Sequence, residues 1–508
     1  MQYDYIIVGA GIGGLAAGNF LTKYGKKVLI VDKNERAGGQ LTTFQREGFS
    51  FDSSIFHLNS MGEKEIINQI LGFLGKKINC ERVYYEYNVI TKGRRVKINT
   101  ANFKEDLIKA FPNDTDDINK YFVEVERLTV AIGQMKSMKP PFKMTTGEKV
   151  SFLIDVVTKR RLIMKYTRID SIKNLRKFFK NEEIIKFIYS IYPVESLTGY
   201  YHMYGIGMPV YYPKGGMQTI TNEIVDVFKN FGGELRLSTK VDKIIIEDGK
   251  AVGILTADKE KIMASTVISN VAPHYTFGKL VDRSLASPLL KNMIDNRRIF
   301  ESFCFVYLGM DKSYQMNQNS YIIPTETVDF SIKNQDATPE NCSISVIKYP
   351  CQEEGDDYSV ILVGFIPYEY NNCWGTYGKK VHDAEYKKIK EEVKDKLINR
   401  AAKILGDDFK KSIKVQEIAT PLSFERYTNV EKGGVMGWSN MGWKVSPKMT
   451  YIPYETPVKD LYLTGQFTFP SGGIPGVLSS GYYLACELLE KANIDLYRAF
   501  REYRGLIK

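Results

Sequence analysis

The first 32 residues carry the pattern that most restricts the fold of this chain. An apolar run from Asp4 to Val8 leads into the turn Gly9-Ala10-Gly11-Ile12-Gly13-Gly14, and a helical run begins at Leu15. A second apolar run from Lys27 to Val31 ends at Asp32. Strand, glycine turn, helix, strand and acidic residue in this order are typical of a βαβ unit that binds a dinucleotide. The sequence therefore predicts an α/β fold with a Rossmann-type parallel sheet.

Each residue of the turn has a physical role in this interpretation. Gly9 permits the tight turn, Gly11 lets the backbone approach a diphosphate, and Gly14 lets the helix pack closely on the strand. Ile12 and Gly13 lie at the helix N-terminus, where free N–H groups and the helix dipole favour an anion. Asp32 is placed to accept hydrogen bonds from ribose hydroxyls. This pattern alone does not distinguish NAD from FAD.

A second glycine pair points to FAD. The acidic residue is followed by Lys33-Asn34-Glu35-Arg36-Ala37-Gly38-Gly39-Gln40. This extension is similar to that of flavoproteins related to glutathione reductase and the amine oxidases. The resemblance implies that Lys33, Gly38, Gly39 and Gln40 lie beside FAD.

Longer motifs resemble the phytoene desaturase, carotenoid isomerase and retinol saturase group of FAD-dependent oxidoreductases. They are the segments 48–52 (GFSFD), 211–217 (YYPKGGM), 267–273 (VISNVAP) and 470–477 (PSGGIPGV). The resemblance implies that the backbone of Val241 touches the adenine side and that a helix opening after Pro470 points at the flavin ring. It adds to the expected cofactor site the residues Gly465, Gln466, Ile474, Gly476 and Val477.

The chain departs from the carotene desaturases at three positions. Gln40 stands where they usually have Arg, Phe469 where they often have His, and Ser471 in place of a glycine. The resemblance thus implies chemistry on C=C bonds of a large apolar polyene or isoprenoid without selecting desaturation, saturation or isomerisation. Two other functions remain open, an amine or porphyrinogen-type flavin oxidase and a non-catalytic flavin-binding membrane adaptor.

Proton donors and electron partners are less constrained. His57, Tyr212 and Glu425 are candidates for moving a proton, and a structural role is the alternative for each. The chain has one dinucleotide pattern, so we expect a diffusing electron donor or acceptor. Trp438 and Trp443 are expected either in an apolar substrate tunnel or in ordinary core packing. Six cysteines without CxxC spacing and four scattered histidines predict no metal site.

The net charge of +11 is concentrated in residues 136–180, which hold thirteen basic and three acidic residues. Apolar residues alternate with these charges, as they do in basic amphipathic helices that lie on anionic membranes. A solvated helical cap, a site for an acidic partner and a nucleic-acid patch are the alternatives. No nucleic-acid recognition motif accompanies the charge, so we expect no nucleic acid.

Length and motif positions predict the domain organisation. A chain of 508 residues is long enough for about three units of roughly 150 residues each. We expect a discontinuous FAD-binding domain (1–92, 207–275 and 450–508), a helical basic cap (93–206) and an α+β substrate domain with a sheet (276–449). The N-terminus enters a strand directly, and no apolar run approaches about 20 residues. We therefore expect a cytoplasmic protein, peripheral on the inner face of the membrane.

Overall fold

A computed structural model describes most of the chain. The described residues are 3–59, 61–63, 65–91, 94–135, 144–150, 154, 162, 165–166, 169–191, 199–316, 320–323, 336–350, 356–379, 381–439, 452–470 and 472–506.

Two extended sheets and two small ones contain the strands. They are β1 (Tyr3–Val8), β2 (Val28–Val31), β3 (Thr43–Arg46), β4 (Phe49–Asp52), β5 (Leu58–Asn59), β6 (Cys80–Val83), β7 (Glu86–Thr91), β8 (Arg94–Asn99), β9 (Val210–Pro213), β10 (Glu234–Arg236), β11 (Val241–Glu247), β12 (Lys250–Thr256), β13 (Lys261–Ser269), β14 (Cys304–Met310), β15 (Ser320–Ile323), β16 (Ile344–Lys348), β17 (Tyr358–Gly364), β18 (Ile413–Ala419) and β19 (Leu461–Leu463).

The right-handed α-helices of five or more residues are distributed over the whole chain. They are α1 (Ile12–Lys23), α2 (Ile66–Phe73), α3 (Phe103–Ala110), α4 (Thr115–Met135), α5 (Ser171–Leu175), α6 (Glu182–Ile191), α7 (Gly199–Gly207), α8 (Gln218–Asn230), α9 (Pro288–Asn296), α10 (Ala384–Leu405), α11 (Asp407–Lys411), α12 (Pro421–Thr428), α13 (Gly473–Glu490) and α14 (Leu496–Tyr503).

The first sheet contains the predicted βαβ unit. Strands β10, β2, β1, β13 and β19 are parallel neighbours in that order, and α1 connects β1 to β2. The first half of β13 also pairs antiparallel with β12, which pairs with β11. The predicted α/β fold with a parallel sheet is confirmed.

Side chains on opposite faces of β1 enter different cores. Ile7 packs in the core that contains α1, α8 and α13, whereas Ile6 and Val8 pack with β11–β13. Both faces are therefore buried, which explains why this strand is a continuous apolar run.

The second sheet has the order β18-β14-β17-β16-β15-β7-β8, with one parallel pair between β15 and β7. Strands β14 and β17 are adjacent in this sheet and are buried along their whole length. Residues 86–91 and 94–99 also belong to this sheet as β7 and β8, so the boundary expected at residue 92 differs from the observed strand arrangement. On β14, Phe305 and Tyr307 face the core of the first sheet, and Val306 and Leu308 face α10.

Of the 45 residues in the basic segment 136–180, 22 lie outside the described residues. Within its described part, Tyr166 and Phe179 pack on α4, where the Tyr166 hydroxyl donates to Glu124 at 2.6 Å. Of its described basic side chains, Lys165, Lys173 and Arg176 form ion pairs with acidic residues. Among the helices that the structure describes, none has the length and apolar character needed to cross a membrane.

Candidate functional site

The first glycine turn has the geometry that its sequence requires. Gly9 has a φ of +104°, a conformation that L side chains rarely adopt. A Cβ atom at Gly14 would lie 2.4 Å from the Gly9 carbonyl oxygen, so the turn and α1 pack without room for a side chain. Helix α1 starts at Ile12 with Gly11 as N-cap, and no described side chain caps it. Its first N–H groups therefore lack intrahelical acceptors and are available to an anion.

Asp32 lies at the end of β2 beside this turn. Its carboxylate accepts the backbone N–H groups of Ala10 and Asn34, both at 2.8 Å. Burial raises the pKa of Asp32, and these two donors oppose the shift. The Thr239 N–H donates to the Asp32 carbonyl at 2.7 Å, which brings the start of β11, and with it Val241, to the same edge of the sheet.

The second glycine pair lies alongside the first turn. The Gly38 N–H donates to the Ala10 carbonyl at 2.8 Å, and a Cβ atom at Gly39 would be 3.4 Å from the Gly11 Cα. The Gln40 carbonyl accepts the hydroxyls of Ser53 and Ser54, at 3.1 and 3.0 Å. The Gln40 side chain donates to the Gly434 carbonyl at 3.4 Å.

The C-terminal turn meets the first one directly. A Cβ atom at Gly13 would lie 2.9 Å from the Cα of Gly465, which itself has a φ of +98°. Helix α13 starts at Gly473 without a side-chain cap from the described residues and contains Ile474, Gly476 and Val477 in its first turns. A second set of free N–H groups therefore lies at the N-terminus of α13. The carbonyl of Gln466 packs against Gly437, where a Cβ atom would be 2.2 Å from its oxygen.

A buried hydroxyl network fixes the Gly465 turn on α13. The Ser480 hydroxyl accepts the Gly465 N–H at 3.0 Å and lies 2.6 Å from the Thr468 hydroxyl and 3.1 Å from the Thr464 hydroxyl. Thr468 donates its only proton to the Gly465 carbonyl at 2.9 Å, so Ser480 must donate to Thr468. Thr464 must then donate to Ser480.

These elements together fit a long dinucleotide. Two uncapped helix N-termini suit a diphosphate and an electron-rich ring, and Asp32 suits a ribose. Glycines at Gly9, Gly11 and Gly13 keep side chains out of the turn between them. Family comparison gives the class of the cofactor. The family described as flavin containing amine oxidoreductase matches residues 12–489.

The chain belongs to this flavin-containing family. Its cofactor is FAD, and the residues that would hold it are those of the glycine turns, Asp32 and the first turns of α13. The sequence prediction of an FAD-dependent oxidoreductase is thereby confirmed.

Similar curated proteins match nearly the whole chain. A chloroplastic prolycopene isomerase of Daucus carota is 26% identical over 95% of this chain and 79% of its own length. An all-trans-retinol 13,14-reductase of Danio rerio is 24% identical over 94% of this chain and 85% of its own. A 4,4'-diapophytoene desaturase of a Methylomonas species is 24% identical and covers 96% of both chains.

Solved structures confirm the fold. A cyclohexylamine oxidase from Brevibacterium oxydans matches with a TM-score of 0.60 at 14% identity, over 97% of this chain and 100% of its own. An oxidoreductase from Methanosarcina mazei matches with a TM-score of 0.60 at 16% identity, over 96% and 100%. At these identities the likeness concerns architecture alone.

The three proton-transfer candidates are not brought together in one hydrogen-bonded group. The Tyr212 hydroxyl donates to the buried carboxylate of Asp52 at 2.6 Å. Glu425 accepts the hydroxyl of Tyr368 at 2.9 Å. His57 is half-buried against the ring of Phe56, and burial lowers its pKa to about 4.

The expectations for Lys33 and for the two tryptophans have different outcomes. The Lys33 ammonium donates to the Arg426 carbonyl at 2.6 Å and to the Asn429 side chain at 2.7 Å, so it is directed at the C-terminus of α12. Trp438 is buried in the core beside Phe467, which favours core packing over a tunnel lining. Trp443 lies outside the described residues.

Asn270 and Ser480 were not predicted as site residues. Asn270 follows β13 and contacts the Gly9 carbonyl, and Ser480 holds Gly465. Asn270 belongs to the motif at 267–273, but no local pattern signals a contact with a turn 261 residues earlier.

Proposed function

We propose that this protein is an FAD-dependent oxidoreductase that desaturates, saturates or isomerises C=C bonds of a large apolar polyene or isoprenoid. The observation that carries the proposal is the match of the flavin-containing family to residues 12–489, which covers nearly the whole chain. The isomerase, reductase and desaturase names of relatives that match almost the full chain support it.

A row of aromatic side chains extends along β14 and its neighbours, on the face of the second sheet that packs against the first. Phe303 lies 4.6 Å from Phe365, and Phe305 lies 5.3 Å from Phe424, between ring centroids. Tyr307 continues the row at 6.3 Å from Phe305. Its hydroxyl donates to the Ser53 carbonyl, which leaves the ring face as its apolar surface. Phe305 and Tyr307 are 3% and 2% exposed and pack in the core shared with the first sheet, so the row forms an apolar wall by core packing.

Bound FAD supplies the redox chemistry. We assign the chain's own residues to binding and shielding the substrate. Tyr212 and Glu425 already take part in hydrogen bonds with neighbouring side chains, which favours a structural role for each over proton transfer. His57 has a pKa of about 4 and is therefore neutral near pH 7, where it is unsuited to act as a general acid.

Reconstitution with FAD tests the proposal. We expect a flavin absorption band near ~450 nm, and a change in the polyene spectrum when the holoprotein is mixed with a carotenoid or retinoid and a reductant or acceptor. Peroxide release with amines and no reaction with polyenes would favour an amine-type oxidase. Bound FAD without turnover of either substrate class would favour the non-catalytic adaptor, and one Danio rerio relative carries the name of an inactive reductase.

We also propose that the protein exchanges electrons with a diffusing carrier and docks on the inner face of the cytoplasmic membrane through residues 136–180. The segment has a net charge of +10. Next to its exposed Lys149, Val150 and Ile154 are 54% and 59% exposed. Basic residues beside exposed apolar ones suit an anionic lipid surface.

Vesicle sedimentation tests the docking proposal. We expect binding to vesicles that contain phosphatidylglycerol, weak binding to pure phosphatidylcholine, and release by high salt. Charge reversal of Lys149, Lys177 and Lys180 to Glu should lower the partition coefficient by at least about 100-fold, because the loss of three lysines alone costs roughly 1 kcal/mol each. The matched control reverses three exposed lysines elsewhere, Lys77, Lys387 and Lys403. Equal losses from both triple variants would contradict a local docking surface.

A further inference from the structure

The side chain of Asn270 lies between the two glycine turns of the cofactor cleft. Its Nδ2 donates to the Gly9 carbonyl at 3.1 Å, and its backbone N–H donates to the Val8 carbonyl at 2.9 Å. Cβ atoms added at Gly11 and at Gly14 would each be 3.0 Å from Nδ2. The amide nitrogen therefore fills the inside of the first turn.

The other end of the same amide contacts the C-terminal turn. A Cβ atom at Gly13 would lie 2.9 Å from Oδ1 of Asn270, and one at Gly465 would lie 2.5 Å from it. Gly465 is held from the other side by Ser480, which accepts its N–H at 3.0 Å. One planar amide thus spans the gap between a turn near the start of the chain and a turn near its end.

The two ends of the amide differ in polarity, and Nδ2 is the end that meets the Gly9 carbonyl. An Asp at this position would place a carboxylate oxygen beside the Gly9 carbonyl. The amide is therefore required chemically as well as for its size.

We propose that Asn270 is a positioning residue for FAD: it sets the distance between the Gly9–Gly14 turn, which serves the diphosphate, and the Gly465 turn, which serves the flavin end. The role concerns the cofactor alone and does not depend on the identity of the substrate. It predicts that Asn270 couples the two ends of the cleft and contributes less to binding at either end alone.

The test compares ligands that occupy one end or both. Titration of apoprotein with ADP reports on the diphosphate end, and titration with FAD reports on both ends together. In Asn270→Ala we expect the FAD Kd to rise by about tenfold or more, with a rise in the ADP Kd of less than about threefold. The ratio of the two affinities therefore falls, and this readout does not require turnover.

Asn19 provides the matched control. It is a buried Asn of α1 whose Nδ2 donates to the carbonyls of Leu15 and Ile224, at 2.8 and 3.0 Å, and neither acceptor belongs to a glycine turn. Asn19→Ala should lower the melting temperature and leave the ratio of FAD to ADP affinity unchanged. Equal ratios in the wild type, Asn270→Ala and Asn19→Ala would overturn the proposal.

A second variant covers a failure of Asn270→Ala to fold. Asn270→Ser keeps a hydroxyl donor with less volume, and we expect an intermediate affinity ratio. If neither Asn270 variant gives folded apoprotein whereas Asn19→Ala does, Asn270 is a folding residue and the proposal is wrong.

Discussion

Gly481 of α13 lies directly against the carbonyl oxygen of Gly13 in α1, since a Cβ atom at position 481 would be 2.3 Å from that oxygen. The same Cβ would be 2.8 Å from the backbone nitrogen of Ala17, so it would disturb a hydrogen bond inside α1 as well. This backbone contact joins the first turn of α1 to the third turn of α13 and so fixes the position of one helix relative to the other beside the cofactor cleft.

Gly481→Ala should therefore weaken both folding and FAD binding. Forcing a methyl group into this contact costs about 1–3 kcal/mol, and the helices must separate to accept it. The free energy of unfolding and the FAD Kd measure the two effects. Gly278→Ala is the control, because a Cβ at Gly278 meets no atom within 4 Å. An unchanged FAD Kd in Gly481→Ala would contradict the importance of this contact for the cleft.

Asp52 predicts a pH dependence of stability. Its buried carboxylate accepts the hydroxyls of Thr43 and Tyr212 and the N–H of Met217, and burial nevertheless raises its pKa. A carboxyl with a raised pKa in the folded state contributes most below its unfolded pKa of about 3.9, and that contribution is lost as the pH rises through the folded value. Asp52→Asn cannot ionise, so its free energy of unfolding should improve relative to the wild type between pH 4 and pH 7.

Asp311 supplies a control because the pKa of its carboxyl is lowered, whereas that of Asp52 is raised. Hydrogen bonding to Lys414 holds the pKa of Asp311 well below its usual range. Asp311→Asn should therefore lose stability relative to the wild type as the pH rises from 2 to 5. Parallel pH profiles for the Asp52 and Asp311 variants would contradict the assignment of a raised pKa to Asp52.

Lys33→Met should reduce stability without weakening the binding of FAD. The ammonium binds the C-terminal carbonyl of Arg426 and the side chain of Asn429, so its loss removes a charge-assisted cap from α12, worth about 1–2 kcal/mol. Chemical denaturation and FAD titration measure the two quantities. Lys243→Met, on the exposed side of β11, is the control. A tenfold rise in the FAD Kd with unchanged stability would instead place Lys33 at the cofactor, as the sequence predicts.

The sequence was sufficient for elements whose signal is local. The β1–α1–β2 unit combines two apolar strands, a glycine turn and the acidic Asp32 within 32 residues. Few folds are compatible with these features in this order. The sheet to which each strand belongs could not be predicted in the same way. Strand β7 pairs with β15, distant in the chain, and nothing in its own residues distinguishes the second sheet from the first.

Side-chain partners were the least predictable part of the site. Lys33 follows Asp32 directly and has the right charge for a diphosphate, yet its partner Arg426 is 393 residues away. Tyr212 is a candidate proton donor by its chemistry, but its hydroxyl donates a hydrogen bond to the buried carboxylate of Asp52. The role of each side chain depends on which groups the fold brings next to it. A single sequence does not indicate these long-range partners.

His57 predicts a loss of stability in acid. Its Nδ1 is buried and has no hydrogen-bond partner among the described residues, and burial lowers its pKa to about 4. The unfolded state, with a pKa of about 6.5, takes up a proton first, so stability falls as the pH drops from about 6.5 towards 4. His57→Phe should show a shallower fall in the free energy of unfolding over this window.

The pH profile of turnover distinguishes an effect of His57 on stability from a catalytic role. With a neutral ring above pH 5, His57 should give no inflection near pH 6.5 in the kcat/KM profile, and His57→Phe should keep the shape of the wild-type profile. His202→Phe is the comparison, because burial also lowers the pKa of His202 to about 4, within α7. We expect both variants to flatten the stability profile in acid and neither to change the pH profile of turnover. An ionisation between pH 6 and pH 7 that disappears only in His57→Phe would make His57 a proton-transfer residue.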